Sequence, residues 1–136
     1  MKIELDAIDL KIIRLLKQDS QLTHKQIGEH VHRTGQAVGF RIAQLVEYNI
    51  IENYTIKIKY EHQQFIRLFL NEQQSFIEVE EIVKRYSQVI ELFKVIGGAC
   101  YVVISSFTPS ELNVFIEELS QWCRYSIETV IKEVKL

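Results

Sequence analysis

The chain lacks most of what a catalytic, secreted or membrane-bound protein would carry. It has two cysteines in 136 residues, Cys100 and Cys123, too far apart for a ligand-spaced pair, so a reducing compartment is the simpler expectation. No stretch approaches the roughly 18 unbroken apolar residues that span a bilayer. Residues 1–6 have no apolar run of the kind that begins a secretory signal, which makes the cytoplasm the expected location, with no membrane partner. Neither a nucleophile–base arrangement nor a phosphate loop is present, and the acids come singly or in short pairs such as Glu80-Glu81 and Glu117-Glu118. The expectation is a protein that is not an enzyme, with no catalytic residues. His24, His30 and His32 do not make a metal site: the last two are two positions apart, so one helix face cannot present both, and no cysteine or carboxylate partner is evident. No metal and no cofactor is expected.

Net charge is also small, −2 overall, but it is unevenly spread. Residues 1–59 hold nine Lys/Arg against seven Asp/Glu, and residues 60–136 hold seven against eleven. Between residues 20 and 45 the only acid is Glu29, against Lys25, Arg33 and Arg41 together with the three histidines. Phosphate neutralisation dominates affinity for DNA, so this local excess counts for more than the total. The excess is slight, and a single copy should bind weakly; at least a dimer presenting two reading heads is expected.

What the chain does have is helical periodicity in three short pieces over residues 6–51. Leu5, Ile8, Ile12 and Leu15 recur at helical spacing, as do Ile27 and Val31, and then Val38, Ile42 and Leu45. Asp6 can cap the first helix, with Asp9 closing a capping box. Thr23 with Gln26 repeats the Ser/Thr-x-x-Gln pattern, Thr34 stands where a third cap is needed, and Asn49 where a left-handed residue ends the helix. Short amphipathic helices this tightly joined predict a helix-turn-helix.

Beyond Ile51 the period changes to two. Tyr54, Ile56 and Ile58 alternate with Thr55, Lys57 and Lys59, predicting a half-exposed strand or wing over 51–59, and the polar residues 61–64 read as a linker. The remainder predicts a strand at 65–70, a helix from Ser75 to about Tyr86, and a strand at 89–96. Gly97-Gly98 then turns the chain into a strand at 100–107. Thr108-Pro109-Ser110 opens a second helix with Leu112, Phe115, Ile116, Leu119 and Trp122 on its stripe, and a last strand is expected at about 127–135. The order βαββαβ is the split, ferredoxin-like sandwich, with two helices on one face of four strands. Several strands are apolar on both sides, so a second subunit is the economical cover for the open face.

The expected class is therefore α+β: a winged helix-turn-helix over 1–60, including the linking strand, followed by a ferredoxin-like domain over 61–136. Such a chain resembles the Lrp/AsnC (feast/famine) transcription regulators. The matching phrases are Leu5-Asp6-x-x-Asp9-x-x-Ile12-x-x-x-Leu16 with Asp19 closing the helix, and Arg41-Ile42-x-x-Leu45-x-x-x-x-Ile50-Ile51-x-x-Tyr54. The resemblance implies a homodimer, often built into tetramers or octamers, that binds operator DNA and answers to a small amino-acid effector through its C-terminal module. It also implies Gly97, Gly98, Ala99 and Cys100 as the effector-binding turn, with cysteine where the family carries an acid. A neutral thiol cannot receive an ammonium group as a carboxylate does. Either the effector differs, another group supplies the charge, or no small molecule binds. The family also often has two adjacent arginines where this chain has Phe40-Arg41.

Double-stranded DNA is thus the expected partner, met by Thr23, Arg33, Thr34, Gln36, Phe40, Arg41 and Gln44. Gln36 suits paired hydrogen bonds to adenine, Phe40 a thymine methyl, and Thr34 a phosphate. Arg41 lies beside the buried stripe and has two readings, a phosphate contact or a pairing with an acid of the first helix; the phosphate is the favoured one. Cys100 on an apolar strand reads as packing before it reads as a redox sensor. Two rivals stand beside the regulator reading. One is an oligomerisation module that modulates relatives without reading DNA, and the other is an enzyme on the ferredoxin-like half, which lacks converging acid–base residues to support it.

Overall fold

A computed structural model describes residues 3–71 and 75–136. The chain falls into two compact units, Met1–Lys57 and Ile58–Leu136. The first holds three helices: α1 (Ala7–Gln18), α2 (His24–Val31) and α3 (Gly35–Glu47). Each begins where its capping residue dictates. Asp9 N donates to Asp6 Oδ1 at 2.8 Å and Asp6 N to Asp9 Oδ2 at 3.2 Å. Thr23 and Gln26 exchange the same pair at 3.1 and 2.9 Å. Ala37 N donates to Thr34 Oγ1 at 3.1 Å. The amino-terminal N–H groups that a helix leaves unpaired are met in this way by side chains. Ile12, Ile27, Val31, Val38 and Ile42 close one apolar core, with Ile8, Leu15, Leu16, Leu22 and Ile51 against it.

The second unit is built from β1 (Gln64–Phe69), α4 (Ser75–Lys84), β2 (Val89–Lys94), β3 (Tyr101–Ser105), α5 (Pro109–Leu119) and β4 (Arg124–Thr129). The sheet order is β2-β3-β1-β4, antiparallel throughout. Burial on β1 and β3 alternates strictly, as period two requires. Inward-facing Ile66, Leu68, Tyr101 and Val103 pack with Val79, Val83, Phe115 and Leu119 of the two helices. Phe107 stacks on Phe115 at 4.6 Å between ring centroids, and Tyr86 meets Phe115 edge-on at 4.9 Å. The opposite sheet face carries Phe65, Phe69, Phe93, Val102 and Ile104, with Phe93 49% exposed. Arg67 pairs with Glu128 at 3.4 Å on that face, and Arg124 lies 5.7 Å from the Phe69 ring.

Several boundaries differ from the sequence pattern. The alternating stretch 51–59 forms no paired strand: residues 52–60 take no regular secondary structure, and Tyr54, Ile56 and Ile58 are exposed. Alternation shows that one face wants cover, but a strand also needs a neighbour for its backbone. The polar run 61–64 is not all linker, since Gln64 is the first residue of β1 and buried. Helix α4 ends at Lys84, two residues before Tyr86, and Trp122 lies beyond the end of α5 with 42% of its surface exposed. The last strand begins at Arg124 and stops at Thr129, because β1 offers it Gln64 as the final partner; Val130 N still donates to Gln63 O at 2.9 Å.

Gln64 sits in a fully bonded polar pocket of this core. Its Nε2 donates to Phe107 O at 2.8 Å, while its Oε1 accepts from Ser105 Oγ at 2.8 Å and Phe107 N at 3.0 Å. Replacing it with leucine would strand a buried hydroxyl and a buried N–H. Gln64→Leu is expected to lower stability by about 2 kcal/mol, seen as a lower urea midpoint. A midpoint at or above that of the wild type would show that this network does not hold β1 to the Ser105–Phe107 turn.

Candidate nucleic-acid interface

Helix α3 has two faces that divide by simple rotation. Val38, Ile42 and Leu45 are buried, whereas Gln36, Phe40 and Ala43 are exposed, Phe40 to 65%. With 3.6 residues per turn, each trio spans an arc of about 60°, and the two arcs lie roughly opposite each other. The outer arc is therefore a consequence of the inner one: once the stripe is buried, Gln36 and Phe40 have nowhere to point but outward.

The approach of α2 to α3 is set by glycines. A Cβ on Gly28 would lie 2.3 Å from Arg33 O, and one on Gly35 would lie 3.2 Å from Lys25 N. Arg33 N donates to Gly28 O at 3.0 Å, closing the end of α2 over a left-handed His32 (φ 57°). That turn keeps Thr34 free to cap α3. The imidazole of His24 rests on Gly39, where a Cβ would come within 2.8 Å of its Nδ1. His24 thus stands beside the outer arc, a position that its sequence neighbourhood gave no reason to expect. Lys25, Glu29, His32 and Arg33 surround the turn itself, in a shallow cleft.

The expected DNA contacts do not all share one role here. Thr23, Thr34 and Arg33 are exposed around the turn, although the two hydroxyls already accept capping bonds and Arg33 Nη1 donates to His32 O at 3.0 Å. Gln44 is half-buried and lines a cleft of about 530 Å³ with Arg41, Tyr48 and the acids of α1. Arg41 departs from its favoured reading. Its Nη1 donates to Asp6 Oδ2 at 2.7 Å, Asp6 Oδ1 at 2.9 Å and Asp9 Oδ1 at 3.0 Å, so the guanidinium is turned toward α1. The reason is angular. Arg41 lies about 140° around the helix from Gln36, on the flank next to the buried stripe rather than on the outer arc. The sequence signal for this pairing was present in the spacing of Asp6 and Asp9, which puts both carboxylates at the start of one helix.

The other expected site, the turn after β2, is open. Gly97 has a φ of 122°, a conformation that side-chain-bearing residues rarely adopt, and neither Gly97 nor Gly98 has atoms within 4 Å of where a Cβ would stand. Ala99 and Cys100 are half-buried. The Cys100 thiol is engaged with the backbone of Leu70, accepting from its N at 3.4 Å and donating to its O at 3.7 Å. It faces the end of β1 instead of the turn's open side. Burial pushes the other thiol, Cys123, up to about 11, which leaves it protonated and unreactive at neutral pH. Among the described residues no group of three or more His, Cys, Asp or Glu converges, and no helix is long and apolar enough to cross a membrane.

Comparison with known proteins adds four findings. Residues 5–46 match the AsnC-type helix-turn-helix domain. The chain is 32% identical over 138 residues to the HTH-type transcriptional regulator LrpB of Bacillus subtilis, covering 97% of this chain and 92% of that protein. Among solved structures, LrpC of B. subtilis superposes with a TM-score of 0.87 at 21% identity, over 98% of this chain and 99% of that one. A transcriptional regulator of Neisseria meningitidis, solved as a complex with L-Met, gives 0.84 at 21% identity over 98% and 94%.

The ionic joint has a pH signature. Hydrogen bonding to Arg41, then to the Asp9 backbone, holds the Asp6 carboxyl at about 2, below its ordinary 3.8. A carboxylate depressed in the folded state contributes stability above its unfolded value and loses that contribution as pH falls through its folded value. The stability difference between wild type and Asp6→Asn should be constant above pH 3.8 and fade as pH falls to about 2. Denaturant titrations at stepped pH measure it. A difference that does not change over that window would mean that the joint does not form in solution.

Proposed function

The chain belongs to the Lrp/AsnC family of HTH-type transcriptional regulators, and from that premise we propose that it is a sequence-specific, double-stranded DNA-binding regulator acting in the cytoplasm. The observation that carries this reading is the outer arc of α3, where Gln36, Phe40 and Ala43 project away from the buried stripe. An α-helix presented in this way fits the major groove, where a glutamine can read adenine bidentately and an aromatic ring can pack on a thymine methyl. Arg33 and Lys25 beside the turn supply cations for the phosphates on either side, and Thr23 and Thr34 place their helix amino-terminal ends toward the same backbone.

The working unit in this reading is a homodimer, extending to tetramers or octamers. Its support is the open sheet face, where Phe65, Phe93, Val102 and Ile104 form an apolar area with charged residues around it. A dimer also doubles a weakly charged reading head, and two recognition helices about 34 Å apart would select a palindromic operator. A small amino acid is the proposed effector class, in keeping with the L-Met complex of the Neisseria protein. The turn at residues 97–100 would then hold it through its open backbone, because the Cys100 thiol is turned toward Leu70. The protein is proposed to act by binding and not by catalysis.

Anisotropy titration against DNA from upstream of its own gene, over a salt series, tests the reading. Specific binding should exceed binding to scrambled duplex. Gln36→Ala should weaken the specific complex by about 10- to 100-fold while leaving the scrambled one unchanged. Equal affinity for both duplexes would leave an oligomerisation module that does not read DNA.

A further inference from the structure

We infer that Arg41 is a positioning residue for DNA reading, acting through Asp6 and Asp9 to fix the angle of α3, and not itself a phosphate contact; this rests on the DNA-reading function proposed above. Three observations carry it. First, Arg41 Nη1 is within 3.0 Å of three carboxylate oxygens on α1. Second, those carboxylates are held in place, although Asp6 is exposed. Asp6 and Asp9 are locked to each other's backbone N–H by the capping box, and Asp9 is a buried residue at 8% exposure. The anchor is therefore a fixed point, set by the first turn of α1. Third, the side chain of Arg41 is only 26% exposed, in the cleft it shares with Gln44, Tyr48 and Phe40.

The consequence follows from where the joint sits. The outer arc begins at Gln36, and Arg41 lies more than one helical turn further along α3. Packing of Val38, Ile42 and Leu45 sets the rotation of α3 about its axis, but apolar side chains slide more readily than a guanidinium nitrogen held between two capped acids. Tying this point of α3 to the amino-terminal turn of α1 fixes the helix's tilt. Base-edge hydrogen bonds tolerate errors of only a few tenths of an ångström, so a small change of tilt falls on sequence discrimination more than on the general attraction of cations for phosphates. The joint also explains how a cation can be on the recognition helix without contributing to phosphate grip.

The two possible roles of Arg41 give opposite signs for one substitution. Asn caps a helix about as well as Asp, so Asp6→Asn keeps the fold of α1 while removing the charge that holds Arg41. If Arg41 were a phosphate contact held back by Asp6, the variant would bind DNA more tightly. In the positioning role, Asp6→Asn weakens specific binding by about tenfold, comparable to losing one charge-assisted hydrogen bond, with scrambled DNA scarcely affected. Arg41→Gln should do the same, and Arg41→Lys, which can still place one nitrogen between the acids, should restore most of the discrimination.

The salt dependence of each complex is the readout that a merely structural residue would not move differently. Losing a phosphate contact lowers the slope of log K against log salt by about 0.9. For Arg41→Gln the slope is expected to match wild type. A slope reduced by about that amount overturns the inference, as does an Asp6→Asn protein that binds operator as tightly as wild type or more so. If wild-type protein shows no preference for any sequence, the DNA-reading function fails first and this inference with it, an outcome distinct from the other two.

Discussion

One guanidinium and two capped carboxylates join the first and third helices of the amino-terminal unit, and the proposed reading of DNA by α3 depends on that joint. Arg41 reaches back from α3 to Asp6 and Asp9, whose side chains are already committed to the first turn of α1. An exposed ion pair adds little to stability, since solvent screens it and ordering two side chains opposes it. Direction is a different matter. The two N–H groups of Nη1, shared among three carboxylate oxygens, define a point in space, while the apolar stripe of Val38, Ile42 and Leu45 defines a rotation. Together they leave Gln36 and Phe40 in a single outward pose. The glycines complete this geometry, because α2 meets the turn at Gly28 more closely than a Cβ would permit, and Gly35 lets α3 start close against Lys25 of α2.

The carboxy-terminal unit is organised by a different constraint, the need of a four-stranded sheet for cover on both faces. Two helices bury Tyr101, Val103, Ile66 and Leu68 on one side, and the aromatic set Phe107, Phe115 and Tyr86 fills the space beneath α5. The other side is open, with Phe65, Phe69, Phe93, Val102 and Ile104 around an Arg67–Glu128 ion pair. The unit thus has both a self-sufficient core and a face whose burial would contribute free energy to association. Tyr86 and Arg85 both bond Glu118, and Gln88 bonds Glu111 at 2.6 Å, so the helical side is held together by polar contacts as well.

Much of this was legible in the amino-acid order, and the parts that were not share a cause. The caps at Asp6, Thr23 and Thr34, the left-handed Asn49 and the buried stripe of α3 are local features, and each stands where its pattern placed it. Thr108 and Pro109 likewise open α5. What the order of residues did not disclose was how distant polar groups pair. Gln64 looks like part of a polar linker until Ser105 and Phe107, more than forty positions away, come against it. Arg41 carried two readings because a charge on a helix flank has two possible customers, a phosphate or an acid, and only three-dimensional packing chooses. The alternating segment after Ile51 shows the same limit, since alternation specifies a face to be covered but not its partner. His32 ends α2 with a left-handed backbone that frees Thr34, a role its residue type did not signal.

Helix α3 is proposed to enter DNA by its outer arc while its flank stays tied to α1, and a crystal structure of the protein on a duplex carrying its operator decides this. Gln36 and Phe40 are expected against base edges in the major groove, with Arg41 still bonded to Asp6 and Asp9. Finding Arg41 on a phosphate with its acids vacated, or Gln36 turned away from the groove, would contradict it.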